Sequence, residues 1–486
     1  MAASSSLQSG LVAVVKRDCP TCELVEPVLR SIADSGIALE VFVQDDPTFP
    51  DLGDLQPTDD TDLDFSFHND IETVPTLIEL RDGAEVRRIV GWSRTAWRDL
   101  TANRTLGAEL PESRPGCGSL SVDPLRVDEL EVRFNGSIMS SRRVTFAAME
   151  DEFEASFDRG WTDGLPVVPP TEVRVLRMLS GTDRDPAEIV ATVPPNLVEV
   201  TVEQVAINAV MAGCKPEYMP VVLAAVEAAC TSEFNMHGLL ATTYFSGPII
   251  VVNGPIAEQI GMNDDGNVFG QGNRANLTIG RALQLVVRNL GGGVPGKIDM
   301  AMQGSPGKLG FCFAERERDS PFSSLAVSRG LSPDDSAVTL FAGEGPTPIV
   351  DQISREPESL SRSFALVLRT THHPKLVIGW DAMLVVGPEH GRIFKNAGWD
   401  RDRLQRELAE LLMIPGEELV RGAGLIDEGL PADFKDAVLP KFRDGGLSIV
   451  HAGGDAGLFS SVLPGWVGGA VGSELVTKKI DQGATQ

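Results

Sequence analysis

Positive charge is scarce in this chain: 42 Lys and Arg stand against 69 Asp and Glu, a formal net charge of −27 with a pI of about 4.6. A field of that sign repels nucleic acid and anionic membrane surfaces, so neither is an expected partner. There is no apolar run of the roughly 18 residues that a membrane span requires. The opening MAASSSLQSG has no basic n-region and no apolar h-region, so no signal peptide is expected and the default location is cytoplasmic. Cysteine is sparse as well. Six in 486 residues do not make a disulfide framework, and a CxxC in such a chain reads as redox or metal chemistry in a reducing compartment.

Other signatures are missing. The six histidines are His68, His237, His372, His373, His390 and His451; no pair has helical metal spacing, so no metal site is expected. MQGSPGKLGF (302–311) is not a Walker A, because Leu309 follows Gly307-Lys308. No GxGxxG opens a strand–helix unit, which argues against a nucleotide cofactor in the usual fingerprint mode. No cofactor is expected beyond whatever thiols the chain carries.

Apolar residues make up 42% of the sequence, and the length suggests about two to four domains. LVAVVK (11–16) is a β-branched run and hence a strand. CPTC follows it, and then Leu24, Val25, Val28, Leu29 and Ile32 recur at helical spacing. Cys19 therefore lies at a helix start, where free N–H groups and the helix dipole favour a thiolate. Cys22 sits one turn in, close enough to form a disulfide, and Pro20 fits the first turn. ALEVFV (38–43), ETVPTLIEL (72–80) and AEVRRIVGW (84–92) read as further strands, with a helix from Ser93.

This order, a CxxC after the first strand and a Val-Pro before a later one, resembles the thioredoxin family over residues 8–106. The resemblance implies a cis bond at Val74–Pro75 facing Cys19 and Cys22. Half a zinc site and a redox-silent docking domain are the alternatives to a reactive dithiol. The acidic stretch 45–64 reads as a solvated insertion that could also limit which partners reach the dithiol.

Residues 107–150 read as a connector. Within it Cys117 stands between Gly116 and Gly118, sterically open, with Arg114 near enough to favour its thiolate. From 151 a layered α/β module begins, divided here into 151–345 and 346–486. TVEQVAINAVMAG (201–213) and CKPEYMPVVLAAVEAAC (214–230) are apolar helices, and Cys214 stands at the break between them beside Lys215, an activating position if it is open to solvent. Strands ending in glycine turns recur at 247–261, 382–394 and 447–459. Ligands of open α/β sheets gather at such carboxyl ends.

In NDDGNVFGQGNRANLTIGRALQLVVRNLGGG (263–293) a glycine loop with Gly266, Gly270 and Gly272 leads into a helix. Arg274, Arg281 and Arg288 are seven apart and share one face. Gly270, Gly272, Asn273, Arg274 and Arg281 are the expected anion-binding group; the alternative is a solvated face of salt bridges. Cys312, between two Phe, reads as buried. Glu315 is expected to line a cleft, with His237, His390 and His451 as acid–base candidates.

LSIVHAGGDAGLFSSVLPGW (447–466) resembles the selenoprotein-related family named for its Sec-Gly-Ser-Cys motif, with Ala456 and Phe459 at the positions of the selenocysteine and the cysteine. The resemblance implies that this redox centre is lost. PGCGSLSVDP (115–124) matches the motif in part, with Leu120 in the place of its last Cys, and WTDGLPVVPP (161–170) and GPEHGRIFKNAGW (387–399) look like larger proteins associated with that family. It implies thiol chemistry on a small molecule.

The expectation is an α/β protein: a thioredoxin-like domain (1–106), the Cys117 connector, then the large module. Its expected activity is that of a thiol-dependent oxidoreductase on a small anionic substrate, with Cys19–Cys22 resetting Cys117 or Cys214. The alternatives are a lyase or hydratase using cleft Glu and His groups, and a scaffold whose dithiol serves a protein thiol partner.

Overall fold

The first β-branched run forms strand β1 (Gly10–Val15), and the amphipathic segment after it forms helix α1 (Pro20–Asp34). The computed structural model describes residues 5–135, 139–147 and 150–481. By contact density the chain divides into two units, Met1–Ile138 and Met139–Gln486, each of mixed helix and strand.

In the first unit α1 buries Cys22, Val25, Val28, Leu29 and Ile32, the i, i+3, i+4 stripe that its sequence predicts. The chain continues through β2 (Leu39–Val43), β3 (Thr58–Asp59), β4 (Thr73–Val74), β5 (Thr76–Arg81), β6 (Ala84–Val90) and β7 (Trp92–Ser93). The five-stranded sheet has the order β3-β2-β1-β5-β6. β1 is central, parallel to β2 and antiparallel to β5, and its residues Leu11–Val15 are buried. The Val74–Pro75 bond, between β4 and β5, is cis.

The residues read as a connector belong to this unit through 135, the end of that described stretch. β8 (Ser113–Arg114) pairs with β7, and β9 (Cys117–Gly118) pairs with β4. Beyond β9, the buried Gln44 amide donates to Ser119 Oγ at 2.6 Å and to Ser66 Oγ at 2.7 Å, and its carbonyl accepts from Leu120 N. Ser121 Oγ donates to Ile71 O at 2.6 Å. These buried bonds fix the turn to the sheet. The acidic insertion is likewise tied in. Asp45 accepts from the N–H groups of Arg17 and Asp18, and Asp60 is buried, accepting from Phe65 N, Ser66 N and Ser66 Oγ.

The second unit is built on an eight-stranded mixed sheet. Its main path runs Phe311–Ala314, Gly247–Asn253, Ala337–Gly343, Phe459–Val467, Trp380–Val386, Leu447–His451; Thr347–Val350 pairs with Phe459–Val467, and Val476–Lys479 with Ala337–Gly343. Alternation of side chains gives the layers. Ile250 and Val252 pack with the apolar helices Val202–Ala212, Met219–Ala229 and Arg274–Asn289, whereas Ile249 and Val251 join Phe313 and Phe341 on the opposite face. The expected division at 345 does not separate two modules. Strands from both sides of it share this sheet, joined where Gly343 pairs with Gly465.

Candidate active site

Cys19 is the N-cap of α1, in extended conformation, and its sulfur accepts the N–H of Cys22 at 3.4 Å. The Asp45 bonds to Arg17 and Asp18 shape the turn that delivers it. Opposite stands the β4–β9 ladder, in which Val74 pairs with Cys117 and Thr73 with Gly118. Cys19 Sγ lies 3.5 Å from the Val74 carbonyl oxygen and 2.8 Å from Cys117 Sγ. Further bonds hold the turn over α1: Thr21 Oγ1 donates to Pro115 O, Lys16 Nζ to Gly118 O and an Arg114 guanidinium nitrogen to Pro20 O. Gly116 is required by close packing, because a Cβ there would lie 2.6 Å from the Val74 oxygen.

The three thiols differ in charge. The Cys22 thiol donates to Cys19, and with smaller help from the Cys117 thiol and the N–H groups of Cys22 and Thr21 this pulls Cys19 down to about 5 against the cost of burial. Burial first, and then its bond to Cys19, push Cys22 far up. The same two causes raise Cys117. Cys19 is therefore the thiolate at neutral pH, with two thiols donating to it. It is only 1% exposed and Cys22 is fully buried, whereas Cys117 is half-buried. Of the three residues, Cys117 is the one that solvent reaches.

The other expected residues separate. Cys214 is not an open, activated thiol: it is buried, its sulfur rests on the Thr278 carbonyl at 3.4 Å, and burial pushes it up to about 12. Arg274 donates to the carbonyls of Gly213 and Cys214 and closes the helix break from outside. Arg281 forms a two-pronged pair with Asp163, at 2.7 and 2.8 Å. Asn273 caps the helix through Asn276 N. Gly270 turns back over Asn267, and Gly272 takes a positive φ of 116° just before the helix. This loop and its two arginines are thus structural.

Glu315 does not line a cleft. It is fully buried, accepts from Asn253 Nδ2 and Leu325 N at 2.7 and 2.6 Å, and faces Arg401 at 3.5 Å. His390 has both ring nitrogens engaged, by Ser460 Oγ and Asp351 O, and His451 bonds the Arg316 carbonyl; both are buried and held below the usual histidine range by that burial. His237 is exposed on the short helix Met236–Ala241.

A cluster that sequence reasoning missed joins Tyr244, Glu344 and His372. The Tyr244 hydroxyl donates to Glu344, whose carboxyl burial pushes up, and His372 Nε2 stands 4.0 Å away, its ring held down to about 4 by burial. Nothing in the local pattern marks these residues, which come from three separate loops and strand ends.

Among the described residues no group of three or more His, Cys, Asp or Glu is placed to hold a metal, and no helix is long and apolar enough to cross a membrane. No family model, curated protein or solved structure matches the chain.

Proposed function

We propose that the first unit is a thioredoxin-like thiol–disulfide oxidoreductase in which Cys117 is the resident partner of the Cys19–Cys22 dithiol. The observation that carries this reading is the 2.8 Å approach of Cys117 Sγ to Cys19 Sγ, the one thiol of the six that its surroundings pull down.

The exchange runs as follows. Half-buried Cys117 attacks a disulfide-bonded substrate, X–S–S–X: a Cys117–S–S–X mixed disulfide forms and one X–S⁻ leaves with the electron pair, taking the Cys117 proton. The Cys19 thiolate attacks Cys117 Sγ, a Cys19–Cys117 disulfide forms and the second X–S⁻ leaves with the electron pair. Cys22 then attacks Cys19 Sγ, closing the Cys19–Cys22 disulfide, and its proton passes to the departing Cys117 thiolate. A thiol reductant of the dithiol class restores the pair. The high proton affinity of Cys22 suits this order, since it stays protonated and stabilises Cys19 until the last step.

In Cys22→Ser, mild oxidation with a disulfide such as oxidised glutathione traps a Cys19–Cys117 bond, found by peptide mass spectrometry without reduction. A trapped species in which Cys19 carries only glutathione, with Cys117 free, overturns the resident-partner reading.

The Tyr244–Glu344–His372 cluster favours a second reading, a lyase or hydratase in the second unit. Turnover of a Cys19→Ser, Cys22→Ser double variant without reductant separates the two. Undiminished turnover removes the redox reading and leaves the first unit as a docking element.

A further inference from the structure

The second unit holds a cavity of about 400 Å³ between the C-terminal half of the helix Arg274–Asn289 and the loop that follows it. Gln284 and Arg288, one turn apart on the same helix face, both line it. Arg288 Nε and Gln284 Nε2 are buried from solvent and donate to nothing. Buried donors are almost always satisfied, and leaving a charged one bare is costly. The two side chains thus stand on one wall of one cavity, with Arg288 unpartnered among the described residues, and together offer donors to an acceptor.

The charges around the cavity state what kind. Asp163 is neutralised by Arg281 at 2.7 Å, and Asp299 by Lys308 at 2.7 Å. Arg288 is the remaining cation, with no ion pair among the described residues. One unit of negative charge balances the site; a dianion would repel the two aspartates. The planar guanidinium beside a carboxamide N–H₂ suits the two oxygens of a carboxylate. Pro295, Ala301, Pro306 and Leu309 supply apolar wall for a short hydrocarbon part, and the volume suits a small organic molecule.

We infer that this cavity binds a small monocarboxylate, its carboxylate held by Arg288 and Gln284 and its apolar part against the loop 295–309. The assignment is independent of the thiol chemistry of the first unit. It also moves anion recognition from the first arginines of the stripe to the third.

The test is calorimetric titration of the full chain with acetate, butyrate and benzoate, against inorganic phosphate and neutral butanol. The expected result is saturable binding of at least one carboxylate, weaker phosphate binding and none of butanol. Arg288→Met should lower carboxylate affinity by about tenfold or more, and Gln284→Leu by several-fold. Because Arg288 Nε satisfies no partner, Arg288→Met should fold with an unchanged circular dichroism spectrum and melt no lower than wild type. Absence of binding by all three acids to the wild type overturns the inference without recourse to any variant. Phosphate binding tighter than the carboxylates overturns the ligand class, and equal carboxylate affinity in a folded Arg288→Met overturns the site.

Discussion

Gly116 sits so close to Val74 that a side chain at 116 would collide with backbone: a Cβ there lies 2.6 Å from the Val74 oxygen and 2.4 Å from Thr73 Cγ2. The residue after it is Cys117, so this contact sets the height of one sulfur above another.

Gly116→Ala should therefore lift the turn. The expected cost is about 1–3 kcal/mol of stability, as for other overpacked sites, read as a lower urea midpoint. In the Cys22→Ser background it should reduce the yield of the trapped Cys19–Cys117 disulfide by about tenfold, since exchange demands close and aligned approach. An undiminished yield would show that the β4–β9 ladder does not position Cys117.

Thiolate formation at Cys19 should have its midpoint near pH 5, followed by ultraviolet absorbance of the reduced protein. The thiolate is present above that midpoint and is lost as pH falls through it. Cys22→Ala removes the largest stabilising donor and should raise the midpoint; Cys117→Ala should raise it less, because its bond contributes less. Cys117→Ala should at the same time speed alkylation of Cys19 at neutral pH, by opening the cover over a sulfur that is 1% exposed.

Glu315→Ala should be a stability lesion. The side chains of Glu315 and Arg401 are 0% and 4% exposed, so the change strands a buried guanidinium. The expected loss is about 3–5 kcal/mol, measured by chemical denaturation. A folded variant of wild-type stability would show that the pair is not structural.

Arg274→Ala should lower the melting temperature modestly, by releasing the carbonyls of Gly213 and Cys214. Its effect on carboxylate affinity should stay within about twofold, well below the threshold that marks a direct charged contact. Titration of this variant beside Arg288→Met separates the two ends of the stripe.

Local pattern carried much of the first unit. The run Leu11–Val15, the stripe from Val25 to Ile32 and the cap at Cys19 all announce themselves through periodicity and turn chemistry. The ladder that brings Cys117 to Val74 does not, because two residues per strand have no period to read. Cys117 is marked in the sequence by its glycine neighbours, by Arg114, by a partial motif match and by its nearness to the dithiol, none of which places it opposite Cys19. Cys214 misled for a related reason: a helix break beside Lys215 looks open until Arg274 and Thr278, some sixty residues on, cover it. The three arginines of the stripe are indistinguishable by spacing. Their partners are backbone carbonyls for Arg274 and a carboxylate for Arg281, with none among the described residues for Arg288, and these are tertiary facts. The division at 345 failed because antiparallel pairing across more than a hundred residues leaves no mark in either strand.

That shared sheet bears on how the chain can be made. Ala337–Gly343 is buried along its whole length, and among the described residues one of its two sides is completed by Gly465 and by Val476–Lys479, the last described strand. During synthesis the earlier strands leave the ribosome well before their closing partners exist. A fragment halted near residue 345 would carry an apolar strand with a bare hydrogen-bonding edge, the surface on which chains aggregate. The second unit is thus expected to acquire its stable form only once Val476–Lys479 has been made, and to be intolerant of any truncation that removes that strand.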